Sequence, residues 1–203
     1  MLLHAMTLAI LLATGSQNDF LSTWKAPGAE QIDFTGRKVA AVLIVDDPGL
    51  RVAAEEALAR EISARGAIAV AAYKILPKEL LTDKDAARVW FEKARIEGLV
   101  ILRIVKTDTQ KVYSSVVWSS GYYGNAWDYW GNGWATATPI GKGRDQHLLT
   151  VETVLYDLSK GVPIWAAATR TTDPKNVQTY MKLLAIDLVK ELEKAGLVKT
   201  KVR

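Results

Sequence analysis

Few side chains in this 203-residue chain can do acid–base, nucleophilic or metal chemistry. Cysteine is absent, which removes disulfides, thiol nucleophiles and thiolate metal sites. Histidine occurs only at His4 and His147, so a metal centre or a neutral-pH proton relay has almost nothing to build on. Two ionisable groups stand out instead. Arg103 and Glu152 each lie inside an apolar run, LVILRIV and LLTVETVLYDL. An unpaired buried ion is costly, so each must reach water or find a partner. A cross-strand salt bridge is the expected solution. The alternative is catalytic: Glu152 and a nearby Asp as the carboxylate pair of a hydrolase or transferase acting on envelope polymer.

Nucleotide chemistry is not supported. The turn after the first apolar run is Asp46-Asp47-Pro48-Gly49-Leu50, without Gly-x-Gly-x-x-Gly or the Lys-Ser/Thr of a P-loop. Two aspartates there would repel phosphate, and their expected work is turn formation and helix capping. Gly141-Lys142-Gly143-Arg144 precedes a strand and reads as a flexible basic loop, with His147 a surface residue at the strand entry. The net charge of +4 is dispersed apart from Lys194, Lys199, Lys201 and Arg203, which describes a solvated surface better than a nucleic-acid footprint. No metal, cofactor or catalytic residue is expected.

Contact chemistry is concentrated in residues 118–134, WSSGYYGNAWDYWGNGW, with four tryptophans, three tyrosines and four glycines. Glycines at 121, 124, 131 and 133 raise the cost of regular backbone, while large rings seek cover. The expectation is a loop or hairpin tip carrying a binding surface. Its candidate residues are Trp118, Tyr122, Tyr123, Trp127, Tyr129, Trp130 and Trp134, with Trp127, Tyr129 and Trp130 at the tip. Such rings stack on sugars, sit at membrane interfaces or anchor protein partners. Nucleic acid is disfavoured, since only Lys142 and Arg144 lie near the rings. Burial of the same rings against the sheet is the competing expectation.

The elements that must position these residues follow from the apolar pattern. Lys38–Val45 reads as a buried strand, 51–65 as a helix with Val52, Leu58 and Ile62 on one face and Gly66 as its stop, and Ala67–Tyr73 as a second strand. A helix capped by Thr82 runs through Val89, Trp90 and Ala94 to Gly98, and Leu99–Val105 is a third strand. Leu148–Leu158 and Val162–Thr169 form a hairpin around Ser159-Lys160-Gly161. A long helix to Ala195 then opens at Pro174, with Asp173 as its candidate cap. The fold class is α/β: a β-α-β-α-β start leads into an antiparallel meander, giving one mixed sheet with helices packed on it. Residues 1–15 read as a signal peptide with cleavage before Ser16. Residues 16–37 form an extended N-terminal segment, and 38–203 a single α/β domain.

Ser22-Thr23-Trp24-Lys25-Ala26-Pro27-Gly28, KVAAVLIVDD, the Arg51 to Glu56 helix start, Ala69–Pro77, Glu152–Asp157 and Trp165–Thr169 together resemble uncharacterised bacterial cell-envelope lipoproteins. The resemblance runs over most of the chain after residue 20 and implies an envelope location rather than a mechanism. Members of that family usually carry a lipobox cysteine. Here Leu12-Ala13-Thr14 is followed by Gly15, so no lipid anchor is expected and a periplasmic form is. The functional expectation is an exported, non-enzymatic binding or assembly module whose partner is an envelope protein, a glycan or a membrane surface. A self-associating structural subunit is the remaining alternative, and the oligomeric state stays open.

Overall fold

The computed structural model describes residues 19–105, 114–119, 121–137, 148–172 and 176–200. The leader, His4, residues 141–147 with His147, the Asp173-Pro174 pair, Lys201 and Arg203 all lie outside them. In chain order the elements are β1 (Asp19–Lys25), β2 (Lys38–Ile44), α1 (Pro48–Ala64), β3 (Ile68–Ala71), α2 (Lys84–Lys93) and β4 (Gly98–Val105). They continue with α3 (Ser115–Ser119), α4 (Ala126–Ala135), β5 (Leu148–Asp157), β6 (Val162–Thr172) and α5 (Val177–Lys194). All strands join one six-stranded mixed sheet in the order β1-β6-β5-β4-β2-β3. β2 pairs in parallel with β3 and β4, and the pairings β4·β5, β5·β6 and β6·β1 are antiparallel. The extended N-terminal segment thus supplies an edge strand. The expected β-α-β-α-β start, hairpin and long last helix are all present.

After Lys38, β2 is apolar because both faces of the sheet are covered, and every residue from Val39 to Ile44 is buried. Under α1 and α5 the core is aliphatic, built on Leu43, Leu58, Ile62, Leu102, Leu184 and Leu188. Under α2, α3 and α4 it is aromatic, with Phe91, Trp118, Tyr129, Trp130 and Tyr156 packed against Ile44, Ile101 and Val154.

The helix boundaries differ from expectation at their caps. α1 begins at Pro48 because Asp47 is its cap, its carboxylate accepting from the Leu50 N–H at 2.9 Å. Leu58 and Ile62 face the core as expected, whereas Val52 points to solvent at 39% exposure and Arg51 and Glu55 are buried. Asp83, rather than Thr82, caps α2 by accepting from the Asp85 and Ala86 N–H groups. α2 ends at Lys93 and presents Ala87 and Phe91 inward, leaving Val89 and Trp90 exposed. Gly98 belongs to β4, where a Cβ would stand 2.6 Å from the Phe34 ring. Asn176 caps α5, accepting from the Thr179 N–H at 2.9 Å.

Candidate functional site

The aromatic segment is helical, not a loop. Asn125 accepts from the Trp127 and Asp128 N–H groups and starts α4, so a side-chain cap overrides the low helix propensity of Gly131 and Gly133. Gly133 serves close packing, whereas Gly131 has ordinary contact space beside Lys84. A Cβ at Gly133 would lie 2.5 Å from Ile44 Cδ1, and one at Gly131 would meet Lys84 Cδ at 3.4 Å. Trp118, Tyr123, Trp127, Tyr129 and Trp130 are buried. The expected tip of Trp127, Tyr129 and Trp130 is therefore part of the core, since covering the sheet face removes far more ring area from water than a loop could. Trp130 meets Phe91 edge-on at 5.5 Å and donates its indole N–H to the Leu81 carbonyl at 2.9 Å. Only Tyr122 and Trp134 remain half-buried.

Arg103 and Glu152 face each other in register across β4 and β5. Their charges are 3.7 Å apart, with Glu152 fully buried. Tyr123 and Tyr129 donate their hydroxyls to the two Glu152 oxygens at 2.8 and 3.3 Å, and Tyr156 donates to the Tyr123 carbonyl at 2.9 Å. Burial, reinforced by the Glu152 charge, pushes the Tyr129 phenol well above its ordinary range. Burial does the same for Tyr156, reinforced by Tyr122 and Glu152. Both phenols keep their protons and stay donors. Arg103 continues outward, donating to Thr136 Oγ1 at 2.8 Å and lying over the Tyr122 ring at 5.4 Å. This carboxylate is surrounded by phenols and a guanidinium, with none of its surface open to solvent.

A second buried pair lies on the other face. Arg51 Nε donates to Glu55 at 2.9 Å, and Glu55 also accepts from the backbone N–H groups of Leu43 (3.2 Å) and Tyr73 (2.7 Å). β3 ends at Ala71, so the carboxylate takes over where β2 loses its strand partner. Burial pushes the Glu55 carboxyl up, against the opposing pull of Arg51 and the two N–H groups.

Both arginines project at the carboxyl ends of the parallel strands. β2 leads through α1 to β3 on one side, while β4 lies on its other side and continues to β5. That divergence makes the carboxyl ends of β2 and β4 a topological switch point, where open α/β sheets form ligand crevices. Here the Arg51 guanidinium lies 5.5 Å over the Trp134 ring, and the chain from Gly133 to Thr136 spans to Arg103. Arg51 Nη2, Trp134 Nε1 and the Tyr122 hydroxyl are buried without a hydrogen-bond partner among the described residues. Each such group costs about 1–3 kcal/mol; Thr150, Thr153, Arg170 and Tyr180 also carry one, but Arg51, Trp134 and Tyr122 lie along one rim. Composition pointed to Tyr122 and Trp134 but not to Arg51. Its sequence signal is an arginine in the first turn of α1, one turn before a buried Glu55.

Among the described residues no group of three or more His, Cys, Asp or Glu side chains could hold a metal ion, and no helix is long and apolar enough to cross a membrane. No family model matches the chain, and no curated protein does. Solved structures similar to it include the PelC dodecamer from Paraburkholderia phytofirmans, at 14% identity and a TM-score of 0.47, covering 89% of this chain and 98% of that one. A substituted PelC dodecamer from the same organism gives 15% identity and a TM-score of 0.46 over 91% and 99%. Likeness at this level carries no functional argument.

Proposed function

We propose that this chain is an exported, non-catalytic binding module of the bacterial envelope, and that its contact surface is the rim of Tyr122, Trp134, Arg51 and Arg103. The observation that carries this reading is the gathering of three partnerless polar groups and two half-buried rings at the switch point. Envelope location is supported by the leader-like run and by the resemblance to envelope lipoproteins. Catalysis through Glu152 is disfavoured by its complete burial against Tyr123, Tyr129 and Arg103. The aromatic segment keeps its binding role in reduced form: five rings build the wall, and Tyr122 and Trp134 make the contact.

The test is co-sedimentation of the mature protein with separated envelope fractions, namely insoluble cell-wall polymer and membrane vesicles. Wild type should be retained by one fraction. Tyr122→Ala with Trp134→Ala should lose retention by about tenfold or more, while Trp90→Ala, exposed on α2 outside the rim, should not. Equal retention of wild type and the rim variant in every fraction would refute the proposal. Self-association is separated by size-exclusion chromatography of the same proteins.

A further inference from the structure

Resting on that reading, we infer that the rim takes a neutral, hydroxyl-rich sugar rather than an ion. The argument begins with charge. Each arginine arrives with its own carboxylate, Arg51 with Glu55 and Arg103 with Glu152. Asp46 and Asp47 stand at the same end of β2. An incoming anion meets these carboxylates, and an incoming cation meets two guanidinium groups. Among the described residues neither ion gains a complementary field.

Hydrogen bonding points the same way. The free groups are a guanidinium N–H, an indole N–H and a phenol O–H. Two are donors only, and the third can donate or accept. A sugar ring presents hydroxyls that satisfy all three, beside a C–H face that packs on an aromatic ring. Tyr122 and Trp134 provide the rings, each half-exposed while its polar atom is covered. A local shift that uncovers those polar atoms, with the rings kept on the core, would replace absent hydrogen bonds with real ones. The rings are already held edge to face on the core, Tyr122 on Tyr129 at 5.2 Å, and Trp134 packs 6.0 Å from Trp130. The platform is therefore anchored from behind.

The experiment is calorimetric titration of the mature protein with tetrasaccharides of glucose and of N-acetylglucosamine, both neutral, beside those of galacturonate (anionic) and glucosamine (cationic). Saturable binding of a neutral sugar is expected. Trp134→Phe keeps an aromatic ring but removes the free N–H together with part of the ring area, and it should lose about tenfold or more in affinity. Tyr122→Phe should behave alike. Absence of heat with both neutral sugars overturns the inference, as do unchanged affinity in both variants or preference for either charged sugar. If the sugars fail but envelope retention still depends on Tyr122 and Trp134, the binding-module reading survives and only the ligand class falls.

Discussion

Beneath α1 and α5 the sheet meets leucine, isoleucine and alanine, and its buried charge, Glu55, is satisfied by a guanidinium and two backbone N–H groups. Beneath α2 and α4 it meets tryptophan, tyrosine and phenylalanine around Glu152. The aliphatic face fills volume mainly with shape, each Leu or Ile contributing about 1.5–3 kcal/mol on burial, and Tyr180 is its one buried phenol among the described residues. Large rings bring polar edges that must also be matched. They succeed at the centre, where Trp130, Tyr123, Tyr129 and Tyr156 find acceptors, and fail at the rim, where Tyr122 and Trp134 do not. The failure lies on the face and at the strand ends where a ligand could approach. An aromatic wall is thus a structural layer in its middle and a candidate binding surface along its edge.

The comparison breaks most visibly with Trp130→Ala, expected to cost about 3–5 kcal/mol in denaturant unfolding. Leu184→Ala on the aliphatic face should cost about 2–5 kcal/mol. A loss under 1 kcal/mol at Trp130 would return that ring to the surface. Arg103→Met follows, at about 3 kcal/mol, because it takes a guanidinium away from the buried Glu152 carboxylate. Adding Glu152→Gln should recover more than half of that, since Tyr123 and Tyr129 keep an acceptor; no recovery would mean that packing rather than charge was lost. Gly133→Ala should cost about 1–3 kcal/mol, as its methyl group drives into Ile44, and a neutral result would show that α4 sits farther from β2.

The smallest effect concerns the aliphatic side, where Lys199 holds Asp33 at 2.6 Å and, with Thr35, lowers its carboxyl to about 2. A depressed carboxyl stabilises the fold above its unfolded value of 3.8 and loses that contribution as pH falls from about 4 to 2. Both partners are solvent-accessible, so the contribution is at most about 1 kcal/mol. Lys199→Ala should flatten stability against pH in that window, and an unchanged profile would remove Asp33 from the account.

Much of this was legible in the chain. Apolar runs of buried strands and glycine stops gave the α/β order, and two charges inside facing strands announced the Arg103–Glu152 pair. β1 was hidden because Asp19, Ser22 and Thr23 belong to an edge strand with a bulge between Phe20 and Ser22, so its polar positions mimic a linker. The helix at Ala126–Ala135 was hidden by Gly131 and Gly133, read as breakers, whereas Asn125 caps the helix and Gly133 is a point of close contact. The rim could be read only in part, through Tyr122 and Trp134. It depends on Arg51 and Trp134, far apart in sequence, meeting where β2 and β4 diverge.

The most direct test is an NMR titration of the protein labelled with nitrogen-15 at its seven tryptophan indoles, using the N-acetylglucosamine tetrasaccharide. The account predicts that the Trp134 indole N–H, free in the resting protein, shifts saturably, while that of Trp130, bound to the Leu81 carbonyl, stays in place. A stationary Trp134 signal at saturating sugar, or equal shifts of both, would contradict it.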